Sequence, residues 1–148
     1  MQKISMDKGN WLVEGISDYV TASIAGERGM IKNNLETFVA EPASLEYYGA
    51  STPSQHGASY AFFKFLADKY GDGIIDKILK NLGSTMINNN RCDTLEQCVL
   101  VKGVYDINGL NMNDKRHEIS FDTILEDWNQ YLQDEYGIND LNGFATNS

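Results

Sequence analysis

Two carboxylates, two histidines and two cysteines carry most of the chemistry open to this chain. Glu14 and Asp18 stand four residues apart in the stretch Trp11-Leu12-Val13-Glu14-Gly15-Ile16-Ser17-Asp18-Tyr19-Val20. In a helix that spacing puts both on one face, about one turn apart. They fall between Trp11 and Tyr19, so full solvation of both is not expected. Two adjacent carboxylates repel unless a cation or a donor stands between them. The pair is therefore either a solvated feature of an acidic surface or a source of oxygen ligands. His56 stands where an apolar helix begins, and His117 lies between Arg116 and Glu118 in a polar stretch that reads as exposed. Cys92 and Cys98 are too few for a four-ligand structural zinc site. They make either a local disulfide, which would point to an extracellular compartment, or two buried thiols.

The order of residues around Glu14 adds a resemblance. W-L-x-E-G-x-x-x-Y, from Trp11 to Tyr19, resembles the segment that follows H-E-x-x-H in the gluzincin zinc metallopeptidases. Aminopeptidase N-like members carry W-L-N-E-G-F-A-x-Y there. Thermolysin-like members carry N-E-A-I-S-D, of which Glu14, Ile16, Ser17 and Asp18 keep E, I, S and D. A second block, H-G-A-S-Y-A-F-F-K-F-L-A-D-K-Y-G from His56 to Gly71, is similar to the G-A-x-x-x-F-x-x-Y-L-x-x-x-Y-G of hyicolysin-like members. The two blocks occur in the family's order.

The resemblance implies that Glu14 is the third zinc ligand. It implies that Asp18 is the outer carboxylate that hydrogen-bonds a ligand histidine and fixes its ring. The family's two zinc histidines and its general-base Glu come from H-E-x-x-H, about twenty residues before the ligand Glu. Here only thirteen residues precede Glu14, none is His, and neither His56 nor His117 belongs to an H-E-x-x-H. The implied protein is the C-terminal helical part of a zinc metallopeptidase, with the upstream H-E-x-x-H segment and a peptide substrate as partners. Zinc is expected in the intact enzyme, while this chain alone is expected to hold no zinc and to cleave nothing. The alternative is a non-catalytic helical binding or scaffold domain descended from a peptidase. In aminopeptidase N-like members a Tyr three residues before the Gly-Ala pair donates to the tetrahedral intermediate. Ser54 stands at that position, which leaves His56, Tyr47 or Tyr48 as the donor, or His56 as a plain helix-start residue.

Composition sets the frame. A chain of 148 residues predicts one domain and suffices to bury a core without metal or disulfide support. A hydrophobic fraction of 42% and a charged fraction of 22% describe an ordinary globule. The net charge of −9 argues against nucleic acid and anionic membranes as partners. No apolar run approaches the roughly eighteen residues of a membrane span, and residues 1–9 are a polar lead-in without the apolar centre of a signal peptide.

Four or five helices must position these residues, in an all-α fold of irregular packing. The first runs from an Asn10 cap to Gly26, with apolar residues at 12, 16, 19, 20 and 24. Residues 26–51 show no sustained period; Leu35, Phe38 and Val39 allow one short turn, and Leu45 to Tyr48 another. Thr52-Pro53-Ser54-Gln55 is a capping box with Pro at the first helical position, opening a helix that stops at Gly71. A third helix begins at Asp72 or Gly73, runs through Ile74 to Leu82 and stops at Gly83. Thr94 to Lys102 is a short helix followed by an extended loop over 103–119. Within that loop Asp106-Ile107-Asn108-Gly109 lacks the spacing of an EF-hand. Ser120 caps the last helix, in which Phe121, Ile124, Leu125, Trp128 and Leu132 make a clean core stripe. Asp122, Glu126, Asp127 and Asp134 form its solvated side, and the Asn- and Gly-rich tail from Gly137 is expected to be loose.

Overall fold

The computed structural model describes residues 10–46, 51–83, 85, 90–114 and 116–138. Among them are six helices and no strand: α1 (Trp11–Ala25), α2 (Gly29–Ala40), α3 (Pro53–Tyr70), α4 (Gly73–Lys80), α5 (Leu95–Ile107) and α6 (Phe121–Tyr136). The fold is all-α, as the periodicity requires. Chain contacts divide the described residues into two units, one of residues 10–65 and 128–138 and one of residues 66–127.

The helix boundaries follow from local chemistry. Asn10 Oδ1 accepts from the backbone N–H of Leu12 at 2.9 Å and of Val13 at 3.4 Å. At the start of α3, Thr52 Oγ1 accepts from Gln55 N at 3.2 Å, and Gln55 Oε1 accepts from Thr52 N at 3.0 Å. That is the reciprocal capping box predicted for this position. Thr94 caps α5 by accepting from Gln97 N, and Ser120 caps α6 by accepting from Thr123 N. α6 ends with Gly137 at φ 68°; Gly137 N donates to Gln133 O, the bond of an αL cap, and Ile138 N donates to Leu132 O. Ile138, the last described residue, is buried. Residues 139–148, like the lead-in of residues 1–9, lie outside the described residues.

Two stretches differ from expectation. Residues 29–40 form a full helix, not a single turn. Its buried stripe is narrow, Leu35 and Phe38, so the apolar period is short. The Asn33-Asn34 pair that reads as loop punctuation sits inside the helix, where Asn34 lies against α3 at Gly57. A Cβ at Gly57 would stand 2.1 Å from the Asn34 carbonyl oxygen. The proposed turn at Leu45 to Tyr48 lies partly outside the described residues; Leu45 itself is buried. The second difference is α5, which continues through Gly103 to Ile107. Gly103 does not stop it, because this is a packing glycine: a Cβ there would lie 2.8 Å from Ile78 Cγ1 of α4.

In the first unit the core is aromatic. Trp128 meets Phe62 edge-on at 5.3 Å, Phe65 at 5.6 Å and stacks on Phe38 at 6.4 Å. Trp11 meets Phe62 edge-on at 6.1 Å. Trp11, Phe38, Phe62 and Phe63 are all fully buried. Such ring pairs add about 0.5–1.5 kcal/mol each beyond the area they bury. Glu27, in the turn between α1 and α2, accepts from Tyr60 Oη at 2.6 Å and Lys64 Nζ at 3.1 Å, tying that turn to α3. In the second unit, Ile74, Ile78, Val99, Leu100, Leu125 and Leu66 are buried. Asp106, at the end of α5, is held by Lys102 at 2.7 Å and by Asn81 at 2.9 Å.

Candidate functional site

α1 carries the candidate residues, and Gly15 fixes how it presents them. A Cβ at Gly15 would lie 2.5 Å from the Phe63 ring and 2.9 Å from Ser59 O, so α1 meets α3 there. At roughly 100° per residue, Glu14 is rotated about 100° from that contact line and Asp18 about 60° to the same side. One flank of α1 therefore holds both carboxylates, with Asp18 the closer to α3. Both are half-buried. Trp11 and Leu12 are fully buried, so Trp11 is a core residue. The second half of the predicted apolar stripe is not buried: Val20 is 39% and Ile24 83% exposed. The buried residues of α1 among those described, Trp11, Leu12, Gly15 and Ile16, all lie in its first two turns.

α3 brings His56 to the same neighbourhood. The Gly57 approach to α2 and the Gly15 approach to α3 bracket its first turns. His56 is half-buried, and its Nε2 lies 2.8 Å from Ser51 Oγ. Burial raises the Asp18 carboxyl above the ordinary aspartate value, the charge of His56 opposes that rise, and the charge of Glu14 adds to it. Glu14, Asp18 and His56 are thus electrostatic neighbours, with Ser51 hydrogen-bonded to the imidazole. The arrangement can hold a proton on Asp18 more firmly than an exposed aspartate would. Among the described residues, no three His, Cys, Asp or Glu side chains are placed to share a metal ion.

The remaining candidates have other places. Ser54, at the position where aminopeptidase N-like proteins have Tyr, donates its hydroxyl to Glu41 O and fastens the start of α3. Tyr47 and Tyr48 lie outside the described residues. His117 is exposed, and its carbonyl accepts from Tyr105 Oη within the second unit. Cys92 and Cys98 form a disulfide with a Cα–Cα distance of 5.2 Å, which resolves the alternatives left by their spacing. Sequence reasoning missed the Ser51–His56 pair, since neither helical period nor a motif links these positions. It also missed Arg91, whose guanidinium donates to Tyr105 Oη, Ile119 O and Met112 O. No helix among the described residues is long and apolar enough to cross a membrane.

Comparison with protein families, with curated proteins and with solved structures gives no significant match for this chain.

Proposed function

We propose that this chain is the C-terminal helical subdomain of a gluzincin-type zinc metallopeptidase. The observation that carries the proposal is the placement of Glu14 and Asp18 on one half-buried flank of α1, beside His56 of α3. In this reading Glu14 supplies one oxygen ligand to zinc, and Asp18 hydrogen-bonds and orients a histidine ligand from the upstream H-E-x-x-H helix. His56 stands at the cleft wall as a donor toward the substrate carbonyl, its ring steadied by Ser51. Among the described residues, Glu14 and Asp18 suit one ligand and its supporting carboxylate rather than a complete site. When bound, zinc polarises the peptide carbonyl and lowers the pKa of a coordinated water. The chain alone is then inactive, and its disulfide suits a secreted or cell-surface parent.

The same shortage of donors favours a second reading, a helical binding or scaffold domain that kept the fold and lost the chemistry. Equilibrium dialysis with metal analysis separates the two. The 148-residue chain should take up no stoichiometric zinc. The chain extended by its encoded upstream segment should bind one zinc, strongly weakened by Glu14→Ala. Tight zinc on the chain itself refutes the incomplete-site reading. Unchanged affinity in the extended Glu14→Ala variant removes Glu14 from the ligand set, and no zinc in the extended chain leaves the scaffold reading.

A further inference from the structure

A short polar system in the second unit holds a segment that has no regular structure of its own. Residues 108–120 connect α5 to α6 and are mostly exposed or half-buried. Four of their backbone groups, on Met112, His117 and Ile119, meet two side chains. Arg91 donates from Nη1 to Ile119 O at 3.2 Å and from Nη2 to Met112 O at 3.1 Å. Its guanidinium also donates to Tyr105 Oη and lies over the Tyr105 ring, 5.1 Å from the centroid. Tyr105 Oη in turn donates to His117 O and accepts from Ile119 N. The backbone carbonyl of Arg91 accepts from Phe121 N at 2.7 Å, at the first residue of α6.

Tyr105 is anchored by α5. Arg91 precedes α5, and what fastens it is the next residue. Cys92 is joined to Cys98 on the second turn of α5, and both cysteines are buried. Nearby ties include the Asp93 N to Gln97 Oε1 bond and the Thr94 cap. A groove of about 550 Å³ is lined by Asn90, Arg91, Met112, Glu118, Ser120 and Thr123, so one wall belongs to the Cys92 side and the other to the held segment.

We propose that the Cys92–Cys98 bond and the Arg91–Tyr105 pair form one clasp, whose reduction releases residues 112–121 and opens the groove while α1 to α3 stay folded. The reductant is a dithiol. One of its thiolates attacks one protein sulfur and expels the other as a thiolate, leaving a mixed disulfide; its second thiolate then attacks the dithiol's own sulfur in that bond and expels the protein sulfur first attacked. Two protons are passed to the Cys92 and Cys98 thiolates, and the dithiol becomes a cyclic disulfide. Because both sulfurs are buried, attack requires a prior local opening, and the clasp responds slowly. Loss of the bond lets Arg91 move relative to Tyr105. The three backbone groups that depend on its fork and carbonyl then exchange with water.

Hydrogen exchange on the whole chain tests this, in oxidised protein, in protein reduced with dithiothreitol, and in the Cys92→Ser/Cys98→Ser double variant. The amides of Ile119 and Phe121 should exchange at least ten-fold faster on reduction, while those of residues 59–65 in α3 change less than two-fold. Arg91→Gln, with the disulfide intact, should reproduce the faster exchange at Ile119. Unchanged Ile119 and Phe121 exchange on reduction overturns the proposal. So does equal loss of protection in α3, which would make the bond a general stabiliser. If the double variant fails to fold, reduction of the unaltered chain still decides between these outcomes.

Discussion

Gly57→Ala should destabilise the protein strongly although alanine is the better helix former. In a helix interior the exchange favours alanine by about 1 kcal/mol. Against this, the added Cβ would stand 2.1 Å from Asn34 O, 2.7 Å from Asn34 C and 2.8 Å from Phe38 Cβ. The obstacle is the backbone of α2, which cannot rotate aside as a side-chain tip does. To restore an ordinary contact α2 and α3 must separate locally by about 1 Å, a gap that forfeits roughly a quarter to a half of each dispersion contact across it. Phe38, one of the two buried residues of α2, borders that interface. Overpacking typically costs about 1–3 kcal/mol and more where backbone must move. The expected net loss is about 2–4 kcal/mol. Gly103→Ala is the internal comparison: its nearest atom is a side-chain atom, Ile78 Cγ1 at 2.8 Å, with Ile78 N at 3.4 Å, so it should lose less than Gly57→Ala. Urea unfolding followed by far-UV circular dichroism, with equal m-values, measures both. A Gly57→Ala variant within about 0.5 kcal/mol of the parent, or a Gly103→Ala variant losing more than Gly57→Ala, would refute the close-approach argument.

Trp128→Ala should lose about 3–5 kcal/mol in the same melts; Trp128→Phe should lose far less, since the indole N–H makes no hydrogen bond among the described residues. Asp18→Asn should raise the Tm at pH 7. The folded Asp18 carboxyl lies above its ordinary value of 3.8, so the charged form detracts from stability at neutral pH, and the gap to the variant should close as pH falls through the folded value; screening keeps the gain below about 1 kcal/mol. Burial pushes the Glu27 carboxyl up, but the hydrogen bonds from Tyr60 and Lys64 and the charges of Lys64 and Lys32 outweigh it and hold it below 4.5. Its contribution is therefore present above pH 4.5 and lost as pH falls through the lower folded value, so Glu27→Gln should weaken the protein by about 1 kcal/mol at pH 7 and match it in acid, as pH-dependent melts will show.

The elements visible in the sequence were those with their own punctuation. The Thr52–Gln55 box, Ser120, Asn10 and Thr94 each place a side-chain acceptor within reach of orphan N–H groups, and each capped helix begins where its cap predicts. The stripe through Phe121, Ile124, Leu125, Trp128 and Leu132 is buried throughout, and Asp122, Glu126, Asp127 and Asp134 are exposed. α2 was obscured because its first residue is Gly29 at φ 63° and Arg28 makes no side-chain cap. The end of α5 was obscured for a related reason. Glycine marks a boundary where the backbone turns and an interior where another helix presses close, and only the tertiary neighbour tells these apart. Gly71 and Gly103 carry the same letter, yet Gly71 has φ 94° and open space for a Cβ, while Gly103 faces Ile78.

The candidate site divides along the same line. Glu14 and Asp18 were legible because their relation is local: four residues of helix determine that they share a flank. His56 joins them only through the packing of α3 on α1 at Gly15, and no spacing from 18 to 56 encodes that. What the packing adds is a direction. Asp18 lies nearer to the α3 contact line, and burial raises its carboxyl above the ordinary value. Glu14, about 40° farther round the helix, stands about 100° from the α3 contact line. An oxygen ligand for a metal held by another segment needs the farther position, and a carboxylate that orients a partner's imidazole needs the nearer one. The two roles proposed for this pair therefore require the asymmetry that one glycine contact imposes on α1.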